Sequence, residues 1–288
     1  MNHDVATKIT PARKRIAWID CAKGLGIIMV VLYHAMIPSL RNADSVCGHV
    51  YMTIYQFLAT IIMPLFFFAS GYLFELSLPR YKSKIQFIKN KARYLLIPYL
   101  AYSVFNYIVI LIALQIPAME KVFSQSSGGY EQVSFGRAVF QILTGEGNMD
   151  KHIWFVAALF IAFTLNILCP KALKHPVSII IFFIIKCCLM FLGFLPGILY
   201  YLARNMLYFQ LARLISDTTF MKMKRTAAYY SVLLFVITNV LLALGITFGV
   251  NKINAAVSFG FYCLSAVIAI LGCISICNLC RFFNAAVT

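Results

Sequence analysis

Eight long apolar runs, separated by shorter polar segments, make up most of this chain. They are Ile16 to Pro38, Val50 to Leu76, Tyr94 to Ile116, His152 to Cys169, Val177 to Leu195, Gly197 to Ile215, Ala227 to Phe248 and Val257 to Leu279. A membrane-spanning helix needs about 20 mainly apolar residues, and the runs do not alternate as transmembrane β-strands do. Because only helices and closed barrels satisfy the backbone in lipid, the pattern predicts an all-α, polytopic bundle of about eight transmembrane helices.

The basic residues indicate how this bundle is oriented. In an eight-span topology sixteen lysines and arginines lie on the side of the N-terminus and five on the other side. Lysine and arginine accumulate in cytoplasmic loops, so the N-terminus is predicted to be cytoplasmic. The expected organisation is a cytoplasmic tail over residues 1–15, a transmembrane domain over 16–280 and a short cytoplasmic tail over 281–288.

Composition narrows the class of protein further. The chain is 62% hydrophobic and 12% charged, where a soluble domain has about 25% charged residues, so an ordinary soluble enzyme is excluded. The net charge of +16 is explained by topology and by contact with the lipid bilayer, and no nucleic-acid partner is predicted. Cys277 and Cys280 have the spacing of metal ligands but lack a matching second pair, so no metal site is predicted.

Two polar segments differ from the rest. The segment Pro79 to Arg93 carries six basic residues and no acidic one, which suits anionic lipid or a phosphorylated cytosolic ligand. The segment Pro117 to Lys151 is the longest stretch outside the apolar runs. Its serines and glycines at 126–129 predict a flexible, turn-like region there.

Three ionisable residues share one face of the first apolar run. At about 100° per residue, Asp20, Lys23 and His34 project from the same side of a helix. Asp20 and Lys23 have the spacing of an ion pair, and a histidine acts as a general base at neutral pH. Charges within a span are costly and therefore indicate function. The alternative is a snorkelling lysine balanced by Asp20, with His34 at the outer interface.

Four further residues are candidates with less specific signals. Lys186 and Arg204 lie in the fifth and sixth runs without an evident acidic partner, and we expect them to face the bundle interior, with their roles open. Ser70 could handle an acyl group, although a small residue beside Gly71 more often permits close helix packing. Trp154 could stack on a sugar, although tryptophan is also enriched at membrane interfaces.

Four motifs follow one another along the chain. Ten residues separate Lys23 from His34, a basic-x10-His pattern. The other three motifs are MPLFFFASGYLF from Met63 to Phe74, LLIPY from Leu95 to Tyr99 and IWFVAALF from Ile153 to Phe160. Together the four motifs resemble those of the acyltransferase family 3 membrane proteins, especially the branch related to fucose 4-O-acetylases.

The resemblance implies an O-acyltransferase of the bacterial inner membrane. Such an enzyme moves an acyl group, usually acetyl, from acetyl-CoA or another acyl-CoA to a hydroxyl of a surface glycan or lipid-linked sugar. The donor is a co-substrate, and no permanently bound cofactor is expected. Carried over by position, His34 is the catalytic histidine and Lys23 handles the donor, with Asp20 orienting Lys23. The donor phosphates would be neutralised by Lys89, Lys91 and Arg93, and Ser70 and Trp154 are possible substrate contacts.

The chain departs from the family pattern at three places. Ile62 stands where the related branch often has a histidine, and Asn90 stands where an arginine often precedes Arg93 by three residues. The chain also ends soon after the eighth run, where many members continue. Two alternatives therefore accompany the enzyme hypothesis: a transporter or exporter of a glycan or acylated sugar, and a truncated, inactive family member.

Overall fold

Helices account for nearly all of the structure, a computed structural model that describes residues 16–36, 45–120, 133–146, 153–189, 195, 197–215 and 224–287. No β-strand occurs in these ranges, so the prediction of an all-α membrane bundle is confirmed. The helices are α1 (Ala17–Ala35), α2 (Val46–Ser77), α3 (Lys84–Lys91), α4 (Ile97–Ala113), α5 (Phe135–Thr144), α6 (Trp154–Leu168), α7 (Pro170–Lys174), α8 (Val177–Cys188), α9 (Gly197–Leu214), α10 (Arg225–Thr247) and α11 (Ala255–Val287).

Each of the eight apolar runs contains a helix within its described residues, although the helices differ in length. Five of the described helical stretches are long and apolar enough to cross a membrane: Ala17–Ala35, Val46–Arg80, Lys84–Ala113, Arg225–Thr247 and Ala255–Phe282. Helices α6 and α8 are apolar but shorter, and α9 carries two arginines. The predicted tail at 1–15 lies outside the described residues. Helix α11 continues to Val287, past the predicted boundary at residue 280.

Helix α2 is the centre of the bundle and packs against α1, α9, α10 and α11. It begins at Ser45, whose side chain accepts a hydrogen bond from the backbone N–H of Gly48 at 3.1 Å, the usual role of a helix-capping serine. Phe67, Phe68 and Phe74 on α2 are fully buried. In contrast, the apolar residues exposed on α1 and α4 form an outward surface, which in a membrane faces lipid.

Helices α1 and α2, which are consecutive in the sequence, run antiparallel, and their contacts define the two ends of the bundle. Trp18 near the start of α1 contacts Tyr72 near the end of α2, with ring centroids 5.0 Å apart. Tyr33 near the end of α1 stacks on Tyr55 near the start of α2 at 4.4 Å. We call the end that contains Tyr33 and Tyr55 the His34 end, and the opposite end, which contains α3, the basic end.

The longest polar segment contains a helix that the sequence analysis did not predict. Ser134 caps α5 by accepting a hydrogen bond from the backbone N–H of Arg137, and Gly145 ends it with a φ of 68°, a conformation that favours glycine. Tyr99 donates a hydrogen bond of 2.6 Å to the carbonyl of Ile142. The sequence analysis made no prediction for residues 135–144, and the predicted flexible region at 126–129 lies outside the described residues.

Gly71 marks the closest approach of α2 to α9. A Cβ atom on Gly71 would lie 2.2 Å from the carbonyl oxygen of Phe209, far inside van der Waals contact. Small residues at helix interfaces permit such approaches in membranes. The packing interpretation of the Ser70–Gly71 pair is thus supported for Gly71.

Replacing Gly71 by alanine is expected to destabilise the protein because the backbone of α9 must move away. Overpacking a core costs about 1–3 kcal/mol, and the obstacle here is backbone rather than a flexible side chain. The measurement is thermal unfolding of the purified protein in detergent. Gly24→Ala is the matched control, since nothing lies within 4 Å of its Cβ position and alanine favours a helix by up to about 1 kcal/mol. Equal unfolding temperatures for the two variants would contradict the prediction.

Candidate active site

A cavity of about 960 Å³ lies at the His34 end of the bundle. Its wall comes from the last turns of α1, the first two thirds of α2 and α9, the start of α6, the ends of α8 and α10 and the start of α11. Helices that alternate in direction bring these segments to one end. His34, Trp154, Lys186 and Arg204 all line this cavity, although up to 170 positions separate them in the sequence.

His34 lies in the last turn of α1 and is exposed. Its imidazole contacts the Tyr33 ring edge-on, with centroids 5.2 Å apart. Tyr33 in turn shares a hydrogen bond between hydroxyls with Tyr55 of α2. These contacts hold the end of α1 against α2 beside the imidazole, which is accessible to a ligand. Sequence reasoning missed Tyr33 and Tyr55, because their contact joins two different helices.

Trp154 stands at the first residue of α6 and stacks on Tyr201 of α9. The ring centroids are 4.0 Å apart and the planes are inclined by 23°. One face of the indole is therefore covered by Tyr201, while both residues contribute to the cavity wall. An aromatic face is a suitable surface for a sugar ring, and the substrate contact of Trp154 stays a prediction.

Lys186 and Arg204 face the interior, as the sequence predicts. Lys186 is only 3% exposed, and its Nζ lies 5.5 Å from the ring centroid of Tyr208 and 5.6 Å from that of Tyr262. The Arg204 guanidinium carbon lies 5.6 Å from the same Tyr262 ring. The hydroxyl of Tyr262 also shares a 2.9 Å hydrogen bond with that of Tyr200.

Lys23 and Asp20 are absent from the described cavity wall. Lys23 is eleven residues from His34, about 16 Å along α1, and is half-buried. Asp20 is exposed, and its pairing with Lys23 stays a prediction.

The three predicted donor-binding residues lie at the basic end. Lys89 and Arg93 are exposed, Lys89 on α3 and Arg93 on the π-helical turn Ala92–Leu96. Lys91 is half-buried, and its Nζ lies 4.1 Å from the ring centroid of Phe163. Lys89 and Arg93 are therefore available to a ligand, whereas the charge of Lys91 packs on an aromatic face.

Ser70 and Ile62 have different positions relative to the cavity. Ser70 is half-buried and does not belong to the described cavity wall, so the structure does not bring it together with His34. Ile62 belongs to that wall, so the position where related proteins often carry a histidine faces the candidate site. No group of three metal-ligating side chains occurs in the described ranges.

A second polar cluster lies at the basic end, and the sequence analysis missed it. We call it the Glu75 cluster; its members are Glu75, Asn166, Lys174, Gln210 and Arg213. The Arg213 Nε donates to a Glu75 carboxylate oxygen at 2.7 Å, and Lys174 Nζ donates to the other at 2.9 Å. Arg213 also donates to the side-chain oxygens of Asn166 and Gln210. The sequence signal for this cluster is Arg213 itself, because an arginine inside an apolar run needs polar partners.

Comparison with known proteins gives a family match over nearly all of the chain. The family model described as an acyltransferase domain, acyltransferase family 3, matches residues 16–288. No curated protein and no solved structure matches the chain. The matched region includes the cavity, the Glu75 cluster and the basic end.

Proposed function

Because the chain belongs to acyltransferase family 3, we propose that this multi-pass membrane acyltransferase is an O-acetyltransferase. It moves an acetyl group from acetyl-CoA to a hydroxyl of a cell-surface glycan or a lipid-linked sugar. The observation that carries the proposal is the position of His34, which is exposed in the wall of a cavity large enough for a sugar. Ligand pockets typically have volumes of about 300–1,000 Å³.

The transfer needs one base and no covalent enzyme intermediate. The acceptor oxygen attacks the thioester carbonyl carbon while His34 accepts the hydroxyl proton. The new C–O bond forms, the C–S bond breaks, and the thiolate of CoA leaves. The imidazolium of His34 then returns the proton to that thiolate, so the histidine ends the cycle neutral. General-base catalysis of this kind contributes about 10²–10⁴-fold to the rate.

The donor and the acceptor are proposed to enter from opposite ends. Acyl-CoA carries its phosphates on the nucleotide and its thioester at the end of a long pantetheine arm. The phosphates would remain with Lys89 and Arg93 at the basic end, and the thioester would reach toward His34. With the N-terminus inside a bacterial cytoplasmic membrane, the basic end faces the cytosol, where acyl-CoA is made, and the cavity faces outward.

The donor assignment predicts a selective effect on the Michaelis constant. Lys89→Gln and Arg93→Gln are each expected to raise the KM for acetyl-CoA by about threefold to tenfold, because each removes a charge-assisted hydrogen bond to phosphate. The kcat should change little, since neither residue approaches the reacting atoms. Lys224→Gln is the control, as Lys224 is an exposed cation before α10. A KM that rises equally in all three variants would contradict the assignment.

The function is tested with the full chain reconstituted in liposomes. Acetyl-CoA labelled in the acetyl group is supplied together with a panel of glycan and lipid-linked sugar acceptors. We expect label to enter the acceptor as an ester that hydroxylamine releases, and empty liposomes to give none. Absence of transfer to every acceptor would overturn the proposal. Movement of an unmodified sugar across the liposome membrane would instead support the transporter alternative.

A further inference from the structure

Two cations line the cavity, and none of its described wall residues carries a carboxylate. Neither Lys186 nor Arg204 forms an ion pair with any residue in the described part of the chain, where the ion pairs found join Glu75 to Lys174 and Arg213. Lys186 is among the most deeply buried charged residues described, at 3% exposure. The proposed transfer through His34 does not use either cation, so their presence needs a separate explanation.

The two cations are close to each other and share the cavity with a tyrosine hydroxyl that has no hydrogen-bond partner among the described residues. Each lies 5.6 Å from the centroid of the Tyr262 ring, so their separation cannot exceed twice that distance. The hydroxyl of Tyr208 is buried and has no hydrogen-bond partner among the described residues, and Tyr208 lines the same cavity. Asn205, buried on α9, is a further cavity residue with an amide group.

Two neighbouring positive charges in a membrane interior are unfavourable without an anion. Insertion of one charged residue at the centre of a span costs about 2.5–3.5 kcal/mol, and like charges in a low-dielectric interior repel each other. Contacts with the Tyr208 and Tyr262 rings offset a part of this cost, but an aromatic ring carries no net charge. An anionic ligand between Lys186 and Arg204 would neutralise both.

We propose that Lys186 and Arg204 bind the phosphate or diphosphate group of the acceptor, which is therefore a sugar linked through phosphate rather than a neutral glycan. Two cations suit an anion with more than one charge, and guanidinium and ammonium groups are both established phosphate ligands. The inference rests on the proposed function for the identification of this ligand as the acceptor. The diphosphate of CoA has the same chemistry, but its proposed cations lie at the opposite end of the bundle.

The cavity geometry relates this anion to the reacting hydroxyl. His34, the Trp154–Tyr201 stack and the two cations line the same cavity of about 960 Å³. A sugar held by the aromatic stack could present a hydroxyl to His34 while its phosphate lies between Lys186 and Arg204. The two cations are positioning residues in this arrangement, because they bind the acceptor without contacting the reacting atoms.

The proposal is tested by ligand binding, which does not depend on catalysis. Purified full-length protein is incubated with inorganic pyrophosphate, farnesyl diphosphate or CoA, and the shift in unfolding temperature gives each Kd. The variants are Lys186→Met and Arg204→Met, with Lys252→Met as a control that removes an exposed cation near the same end. Lys186→Arg and Arg204→Lys keep the charge and show whether the fold tolerates a change at each position.

We expect pyrophosphate and farnesyl diphosphate to stabilise the wild type. Each methionine variant should bind them at least about tenfold more weakly, while Lys252→Met and the charge-keeping variants bind within about threefold of wild type. Absence of stabilisation of the wild type by either diphosphate would overturn the proposal. Unchanged binding in both methionine variants would overturn it too. If only CoA binding weakens, the anion belongs to the donor, and the acceptor assignment is overturned.

The same variants separate this inference from the proposed function. In the transfer assay Lys186→Met and Arg204→Met should raise the KM for a phosphate-linked acceptor about tenfold or more and leave the KM for acetyl-CoA unchanged. Cation-dependent diphosphate binding without any acyl transfer would support the anion site and overturn the transfer reaction. Acyl transfer that is indifferent to both substitutions would support the reaction and overturn the anion site.

Discussion

His34→Ala is expected to reduce acyl transfer by about 10²–10⁴-fold, the contribution of a positioned general base. The loss should fall on kcat, because alanine leaves the cavity open and the aromatic stack of Trp154 and Tyr201 in place. The measurement is steady-state transfer of labelled acetyl by reconstituted protein at matched protein levels. Since His34 is exposed at the end of α1, its removal should leave the unfolding temperature nearly unchanged.

His49→Ala is the matched control for this prediction. His49 also lies at the His34 end, in the first turn of α2, but it is half-buried and stacks on Phe248 at 5.0 Å. It does not belong to the described cavity wall. We expect His49→Ala to retain transfer within about threefold of wild type, as surface changes do. Full activity in His34→Ala, or an equal loss in both variants, would show that His34 is not the base.

Arg213→Ala is expected to lower the free energy of unfolding by about 3–5 kcal/mol, the usual result of removing one partner from a buried ion pair. The Arg213 side chain is 1% exposed and Glu75 is 21% exposed. The substitution also removes hydrogen bonds to Asn166 and Gln210 and a cation–π contact with Phe74 at 4.9 Å. Denaturant unfolding in detergent micelles measures the change.

Lys174→Ala provides the comparison at the same carboxylate. Lys174 is 54% exposed, and exposed ion pairs contribute only about 0–1 kcal/mol, so this variant should unfold close to wild type. Glu75 keeps its contact with Arg213 in that variant. Equal destabilisation by the two substitutions would mean that burial of Arg213 is not the source of the stability. Loss of transfer at full stability in Arg213→Ala would point to a role in the reaction instead.

The prediction of helices from the sequence was accurate where lipid imposes a strict requirement. Backbone groups in lipid must be satisfied within the segment, and each apolar run contains a helix within its described residues. The same reasoning does not predict helices in the polar segment at 117–151, because that segment does not cross lipid in the predicted topology. Helix α5 forms there because capping by Ser134, the left-handed Gly145 and the hydrogen bond from Tyr99 stabilise it. The capping serine and the terminal glycine are local sequence signals, whereas the contact with Tyr99 is tertiary.

The candidate site was only partly predictable. Helical periodicity placed Asp20, Lys23 and His34 on one face, but their separation along α1 leaves His34 alone of the three in the described cavity wall. Lys186 and Arg204 were predicted to face inward, because a charged side chain exposed to lipid is costly. Their partners could not be predicted, because the contacts with Tyr208 and Tyr262 depend on how α8, α9 and α11 are rotated and packed.

The sequence by itself determined the class of protein, the approximate positions of the helices in the apolar runs and the family to which the chain belongs. Hydropathy and local motifs determine these because both act within a single segment. Only the tertiary structure decided which side chains meet. His34, Trp154 and Arg204 share a cavity, and Arg213 pairs with Glu75 across 138 positions. Such contacts depend on close approaches between helices, as at Gly71, and a sequence does not specify those distances locally.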